Sequence, residues 1–232
     1  MAEDPEDPDA PARSGSVKRR ALIAGGIAGG AVTALGAGGL AAQDTLRRWW
    51  WRLSGSDVPR EQGEVDHPGA EWVPASEANY RHANRPRDYA IDRVVIHMPE
   101  ATYEVTLQVF QDPSHGAASH YVIRSSDGHI AQMARELDVA YHAGNWDYNL
   151  RSIGIEHEGW ADDPSYLTDV MYESSAELVA GICRRYHIPV DREHILGHNE
   201  VPDVARICPG PHWDWDRYMG LLRRASRRQA AG

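Results

Sequence analysis

The chain has 232 residues, a formal net charge of −10, 42% hydrophobic and 25% charged residues. Those values fit an ordinary globular protein with one main domain plus shorter extensions, and they exclude a fibrous, disulfide-stapled or wholly disordered chain. The acidic balance argues against a nucleic-acid partner, because phosphate binding needs a concentrated Lys/Arg surface.

Residues 1–17 are acidic and Pro-rich without apolar periodicity, the pattern of a disordered tail. Lys18-Arg19-Arg20 then precedes an uncharged run from Ala21 to Ala42, the arrangement of an export signal. The paired arginines resemble a twin-arginine signal, although Lys18 stands where such signals often carry Ser or Thr. The run is rich in Gly and Ala and only weakly hydrophobic, which favours a cleaved signal, with Gly39-Leu40-Ala41 as its small-residue site. A retained anchor is the alternative, since the run is long enough to span a bilayer and Trp49-Trp50-Trp51 follows where interfacial aromatics sit. Either way the chain beyond about residue 45 is expected outside the cytoplasm, touching membrane only through the N-terminal segment. Residues 46–69 read as a Gly-, Pro- and charge-rich linker, 70–225 as the folded domain and 226–232 as a basic tail.

Within the folded part, residues 91–98 end in a β-branched run and predict a buried central strand. Residues 103–110 predict a short helix. Residues 120–124 predict a strand that turns at Ser125-Ser126-Asp127-Gly128 and returns from Ile130 as a hairpin. Residues 152–158 predict another strand. Val170, Met171, Leu178, Val179, Ile182 and Cys183 recur at helical spacing over residues 168–187, with Thr168 as the cap. A short strand over 194–197 and a terminal helix over 213–222 complete a mixed α/β domain, a central sheet flanked by helices. Arg223, Arg224, Arg227 and Arg228 read as a solvated helix end, where cations suit the dipole.

Chemistry concentrates at strand ends. His97 closes Val94-Val95-Ile96, His198 closes the strand before it, and Cys208 follows in a Pro-Gly-Pro loop. Two imidazoles and a thiolate can supply three ligands to one Zn2+, leaving a fourth position for water. On spacing alone, buried core histidines and a small buried cysteine remain the competing reading. A cysteine peptidase with Cys208 as nucleophile and His198 as base is a second alternative, and a disulfide between Cys183 and Cys208 is open to an exported protein.

The ordered motifs VVIHMPE, ASHYVIRSSDGHIAQM, AYHAGNW, SIGIEHEGW, ILGHNEV and CPGPHWDW resemble the zinc amidase family that also contains the peptidoglycan recognition proteins. The resemblance spans roughly residues 70–222. It implies an N-acetylmuramoyl-L-alanine amidase that binds one zinc ion through His97, His198 and Cys208 and acts on peptidoglycan or muropeptide, expected as a monomer. Non-catalytic receptors of the same fold typically lack the cysteine, so its presence points to an enzyme. The resemblance places a catalytic carboxylate at Glu156; strand alternation puts Gly154, Glu156 and Glu158 on one face, and Glu158 is expected to support the site from behind. Arg206 stands where relatives often carry a catalytic Lys, and is expected to contact an oxyanion or a substrate carboxylate. His120 is aligned with a catalytic Tyr of phage relatives. Tyr141, His142 and Asn145 resemble the substrate-groove loop.

Overall fold

A computed structural model of the chain describes residues 63–231. The expected export signal and most of the expected linker lie outside the described residues. Among the described residues, no helix is long and apolar enough to cross a membrane. In chain order the elements are β1 (Glu71–Trp72), β2 (Tyr80–Arg81), β3 (Arg93–His97), α1 (Tyr103–Gln111), β4 (Tyr121–Ile123), β5 (Ile130–Gln132), β6 (Val139–Ala140), α2 (Trp146–Arg151), β7 (Ser152–His157), α3 (Asp169–Tyr186), β8 (Ile195–Gly197) and α4 (Trp215–Ala231).

The strands β1, β5, β4, β7, β3 and β8 lie side by side in one sheet, and β2 pairs with β6 in a small antiparallel ribbon. Within the large sheet β4 and β5 form the expected hairpin, while β4–β7, β7–β3 and β3–β8 run parallel. This is the mixed α/β architecture the sequence implies. Val94, Val95 and Ile96 are wholly buried, because helices or loops cover both faces of this central strand. One face carries Ile96, Ile123, Ile153 and Ile155, packed on α3 and α4 through Met171, Leu178, Ile182, Met219 and Leu222. On the other face, Val122 and Ala131 pack on Tyr103 and Phe110 of α1.

Helix α3 starts where Thr168 Oγ1 accepts from Met171 N at 3.3 Å and stops where His187 turns left-handed, φ 57°. Helix α4 runs past its expected end at residue 222. Ala225 continues its buried stripe, and Gln229 Nε2 donates to the Glu177 carbonyl at 3.0 Å. Residues 226–231 are therefore docked helix rather than a free tail. The domain also begins earlier than residue 70. Asp66 N donates to Gln132 Oε1 at 2.7 Å, and the Asp66 carboxylate accepts from Glu136 N at 2.8 Å.

Candidate active site and metal centre

The parallel strands β7, β3 and β8 end together, and the site is built on that edge. Register pairs His97 with Glu156 across β3 and β7, so both side chains project from the same sheet face. His198 is the first residue after β8. Cys208 is brought back to it by a loop whose carbonyl accepts from Asn199 N at 2.9 Å. That loop turns at Gly210, φ 92°, where an added Cβ would sit 2.2 Å from the Ala161 carbonyl oxygen; only glycine fits.

The three residues are buried, and their donor atoms lie within 4.8 Å of one another. His97 Nδ1 is 3.0 Å from His198 Nδ1, and Cys208 Sγ is 3.4 Å from the same nitrogen. Zinc–nitrogen bonds of about 2.0–2.1 Å and a zinc–sulfur bond of about 2.3 Å, at tetrahedral angles, set nitrogens about 3.3 Å apart and nitrogen and sulfur about 3.6 Å apart. The two distances to His198 Nδ1 match that spacing to a few tenths of an ångström. His198 Nε2 lies 3.1 Å from the Ala143 carbonyl. A carbonyl only accepts, so Nε2 carries the proton and Nδ1 presents a lone pair to the cluster. Burial holds the His97 pKa well below its usual value and that of His198 at about 4, so both are neutral at pH 7, the state that ligates metal. The residues present therefore fit a zinc ion.

The same burial pushes the Cys208 thiol up to about 12, the opposite of an activated nucleophile. That weighs against the cysteine-peptidase reading. Cys183 and Cys208 are both free thiols, and Cys183 packs into the core on α3.

Glu156 is buried beside the cluster. Ser119 Oγ donates to its Oε1 at 3.2 Å, and its Oε2 has no partner. Burial raises the carboxyl to about 8, against the opposing pull of the Ser119 hydroxyl and the Arg206 charge. Both residues line a cavity of about 330 Å³ together with the three candidate ligands, Tyr141 and an apolar wall that includes Val109 and Phe110.

The family profile described as N-acetylmuramoyl-L-alanine amidase matches residues 87–211. Over 175 residues the chain is 34% identical to N-acetylmuramoyl-L-alanine amidase A of Achromobacter lyticus, covering 68% of this chain and 96% of that one. The chain belongs to the N-acetylmuramoyl-L-alanine amidase family. It is also 32% identical over 111 residues to the 1,6-anhydro-N-acetylmuramyl-L-alanine amidase AmpD of Haemophilus influenzae, 45% of this chain and 59% of that one. A crystal structure of a selenomethionine derivative of AmpD superposes with TM-score 0.57 at 25% identity, over 71% of this chain and 99% of that one. The E90A mutant of PlyL shares the fold, with TM-score 0.52 at 12% identity over 66% and 98% of the two chains.

In this amidase the other expected site residues divide. Arg206 is exposed and lines the cavity, with Ile207 fully out at its rim. Tyr141 lines it too, its ring 5.9 Å from that of Trp146. Asn145 does not fit the substrate-groove expectation. Its Oδ1 caps α2 by accepting from Tyr148 N at 3.3 Å, and its Nδ2 donates to the Pro202 carbonyl at 3.1 Å. His142 reaches the cavity but is 8% exposed, with its Nδ1 2.9 Å from His97 Nε2.

His120 is not among the residues that line the cavity. It is wholly buried, its Nδ1 accepts from Gly154 N at 3.0 Å, and its Nε2 lies 3.2 Å from the Asp138 carbonyl. Both ring nitrogens are committed to the fold, so it has none left for substrate. Its neighbour Ser119 lines the cavity instead, and sequence reasoning passed over it. Glu158 supports the fold rather than the base. Its two oxygens accept from Tyr103 N at 3.1 Å and Ser125 N at 2.8 Å, tying α1 to the end of β4.

Proposed function

We propose that this protein hydrolyses the amide between the lactyl group of N-acetylmuramic acid and L-Ala in peptidoglycan, with zinc held by His97, His198 and Cys208. The observation that carries the reading is the meeting of two imidazole nitrogens and a thiol at ligand spacing, beside a buried carboxyl oxygen without a partner. The relatives named above support the substrate, since both are amidases of this bond type. Zinc, when bound, makes a water more acidic and polarises an amide carbonyl.

The chain's own groups do the rest. Glu156 Oε2 takes the proton of the attacking water and returns it to the leaving L-Ala nitrogen. A carboxyl held near pH 8 by burial sits close to neutral pH, where one group can both accept and donate. Ser119 holds the opposite oxygen and so aims Oε2 into the cavity. Arg206 offers fixed positive charge to the developing oxyanion or to a stem-peptide carboxylate. The apolar wall around Phe110 keeps bulk water from the bond.

Export also belongs to this proposal: Lys18-Arg19-Arg20 and the uncharged run behind it carry the domain out of the cytoplasm, to the extracellular space or the cell wall, free or anchored by residues 21–42. The enzymatic reading is tested by mass spectrometry of a defined muropeptide incubated with zinc-loaded protein. Release of a peptide with a free L-Ala amino terminus is expected. Cleavage inside the stem peptide, or tight binding with no cleavage, would overturn it.

A further inference from the structure

Ligand spacing alone leaves open which nitrogen of His97 is bare. Its Nδ1 is 3.0 Å from His198 Nδ1, and its Nε2 is 2.9 Å from His142 Nδ1. One tautomer turns a lone pair toward the cluster. The other spends the Nδ1 proton on His198 and hides the lone pair against His142.

The choice is made two residues away from the cluster. Ser152 Oγ lies 2.5 Å from the Tyr148 carbonyl oxygen and 3.1 Å from His142 Nε2. A hydroxyl has one proton and a carbonyl has none, so at that separation the proton points at Tyr148. The hydroxyl oxygen then accepts from His142 Nε2. His142 Nδ1 is left as an acceptor, His97 Nε2 donates to it, and His97 Nδ1 is bare.

We propose that His142 and Ser152 are positioning residues that lock His97 in its Nε2–H tautomer and turn its Nδ1 toward the metal. The proposal rests on the zinc-centre reading above and gives His142 a role other than substrate contact. Two further features belong to the device. Gly154 supplies the room: a Cβ there would lie 2.5 Å from Cγ and Nδ1 of His142. Asn149 pins the loop, its Oδ1 accepting from His142 N at 3.1 Å and from Ala143 N at 2.7 Å. The Ala143 carbonyl in turn orients His198. A single pinned dipeptide thus sets both imidazoles, one through a side chain and one through a carbonyl. Partners of this kind behind a metal ligand typically contribute 10–100-fold in affinity.

The test uses the full chain, in two measurements. Long-range nitrogen–proton spectra of the metal-free protein report the tautomer of His97, and competition with a chelating dye reports zinc affinity. Wild type is expected to show the Nε2–H form; the Nδ1–H form would overturn the proposal. His142→Ala is expected to weaken zinc binding about 10- to 100-fold. His142→Gln, whose amide can accept from His97 and donate to Ser152, should recover most of that loss. Gly154→Ala, which removes no polar group, should weaken zinc binding in the same direction. A folded His142→Ala that binds zinc within twofold of wild type sinks the positioning role alone. Wild type that binds no zinc sinks the metal centre itself. If His142→Ala does not fold, the wild-type tautomer and the Gln variant decide.

Discussion

Glu156→Gln in the metal-free protein isolates the energetic consequence of burying the proposed base. A carboxyl whose folded pKa stands at about 8, against 4.5 when unfolded, makes the native state the better proton binder. The stability it contributes is fully present below about pH 4.5 and is lost as pH rises toward 8. Between pH 6.5 and 8 the loss is about 1–2 kcal/mol, at about 1.36 kcal/mol per unit where one extra proton is held. The buried imidazoles act in the opposite sense. Burial holds His97, His120, His142, His157 and His198 below their usual pKa. Each is about half protonated at pH 6.5 when unfolded, so each contributes more stability as pH rises over the same interval. The two trends oppose one another in the wild type, so the difference between wild type and variant is the observable. Gln keeps an oxygen for Ser119 and removes the titration. Urea denaturation of both proteins in chelator, at several pH values, should show the wild type losing about 1–2 kcal/mol relative to the variant from pH 6.5 to 8. A difference that stays constant within about 0.5 kcal/mol would refute the burial argument for Glu156.

Four further outcomes are expected. Cys208→Ser should lose zinc on dialysis and lose activity with it, measured by elemental analysis and muropeptide turnover; full turnover without metal would remove Cys208 from the ligand set. Arg206→Lys should retain kcat/KM within a few-fold while Arg206→Ala drops it by roughly 10²-fold; equal losses would mean that the guanidinium shape, not its charge, is used. Asn145→Ala should lower stability by about 1 kcal/mol, the usual worth of a helix cap, and leave kcat/KM within twofold; a selective rise in KM would return Asn145 to the substrate groove. Glu158→Ala should cost about 1–3 kcal/mol for each backbone N–H left unpaired, seen as a lowered urea midpoint with zinc affinity unchanged.

What sequence reasoning reached depended on whether a side chain's task is written in a periodic pattern. The strand that ends at His97 is a short β-branched run, His198 follows directly on β8, and alternation along β7 puts Glu156 on a defined face. The structure brings these together as the motifs imply. The two-residue strands β1, β2 and β6 lie below the length at which periodicity is visible, and α2 hides in a motif read as loop. The mistaken and missed residues share one cause. Ser119, His120, His142 and Asn145 sit in irregular segments, where neighbouring side chains point in unrelated directions. Which of them faces the cavity is set by tertiary hydrogen bonds: Gly154 N to His120, Asn149 to the 142–143 peptide, and Asn145 to Pro202. None of these pairings leaves a trace in spacing.

The site's geometry is a property of β7 having two unlike faces. Ile153 and Ile155 bury wholly against α3 and α4, and His157 joins them by hydrogen bonding Ser175 Oγ of α3 at 2.7 Å. Gly154 and Glu156 take the opposite face, the first making room for His142 and the second supplying the carboxyl. A one-residue register slip against β3 would send Glu156 into the helix-packed core and an isoleucine into the cavity. The slip is opposed because each fully buried isoleucine contributes about 1.5–3 kcal/mol, and two would be exposed at once. The apolar face thereby holds the carboxyl in a position that costs free energy when it ionises. A buried acid near the candidate metal centre persists here because the strand that carries it is anchored from behind, and loosening that anchor, as in Ile155→Ala, should degrade zinc affinity and stability together rather than either alone.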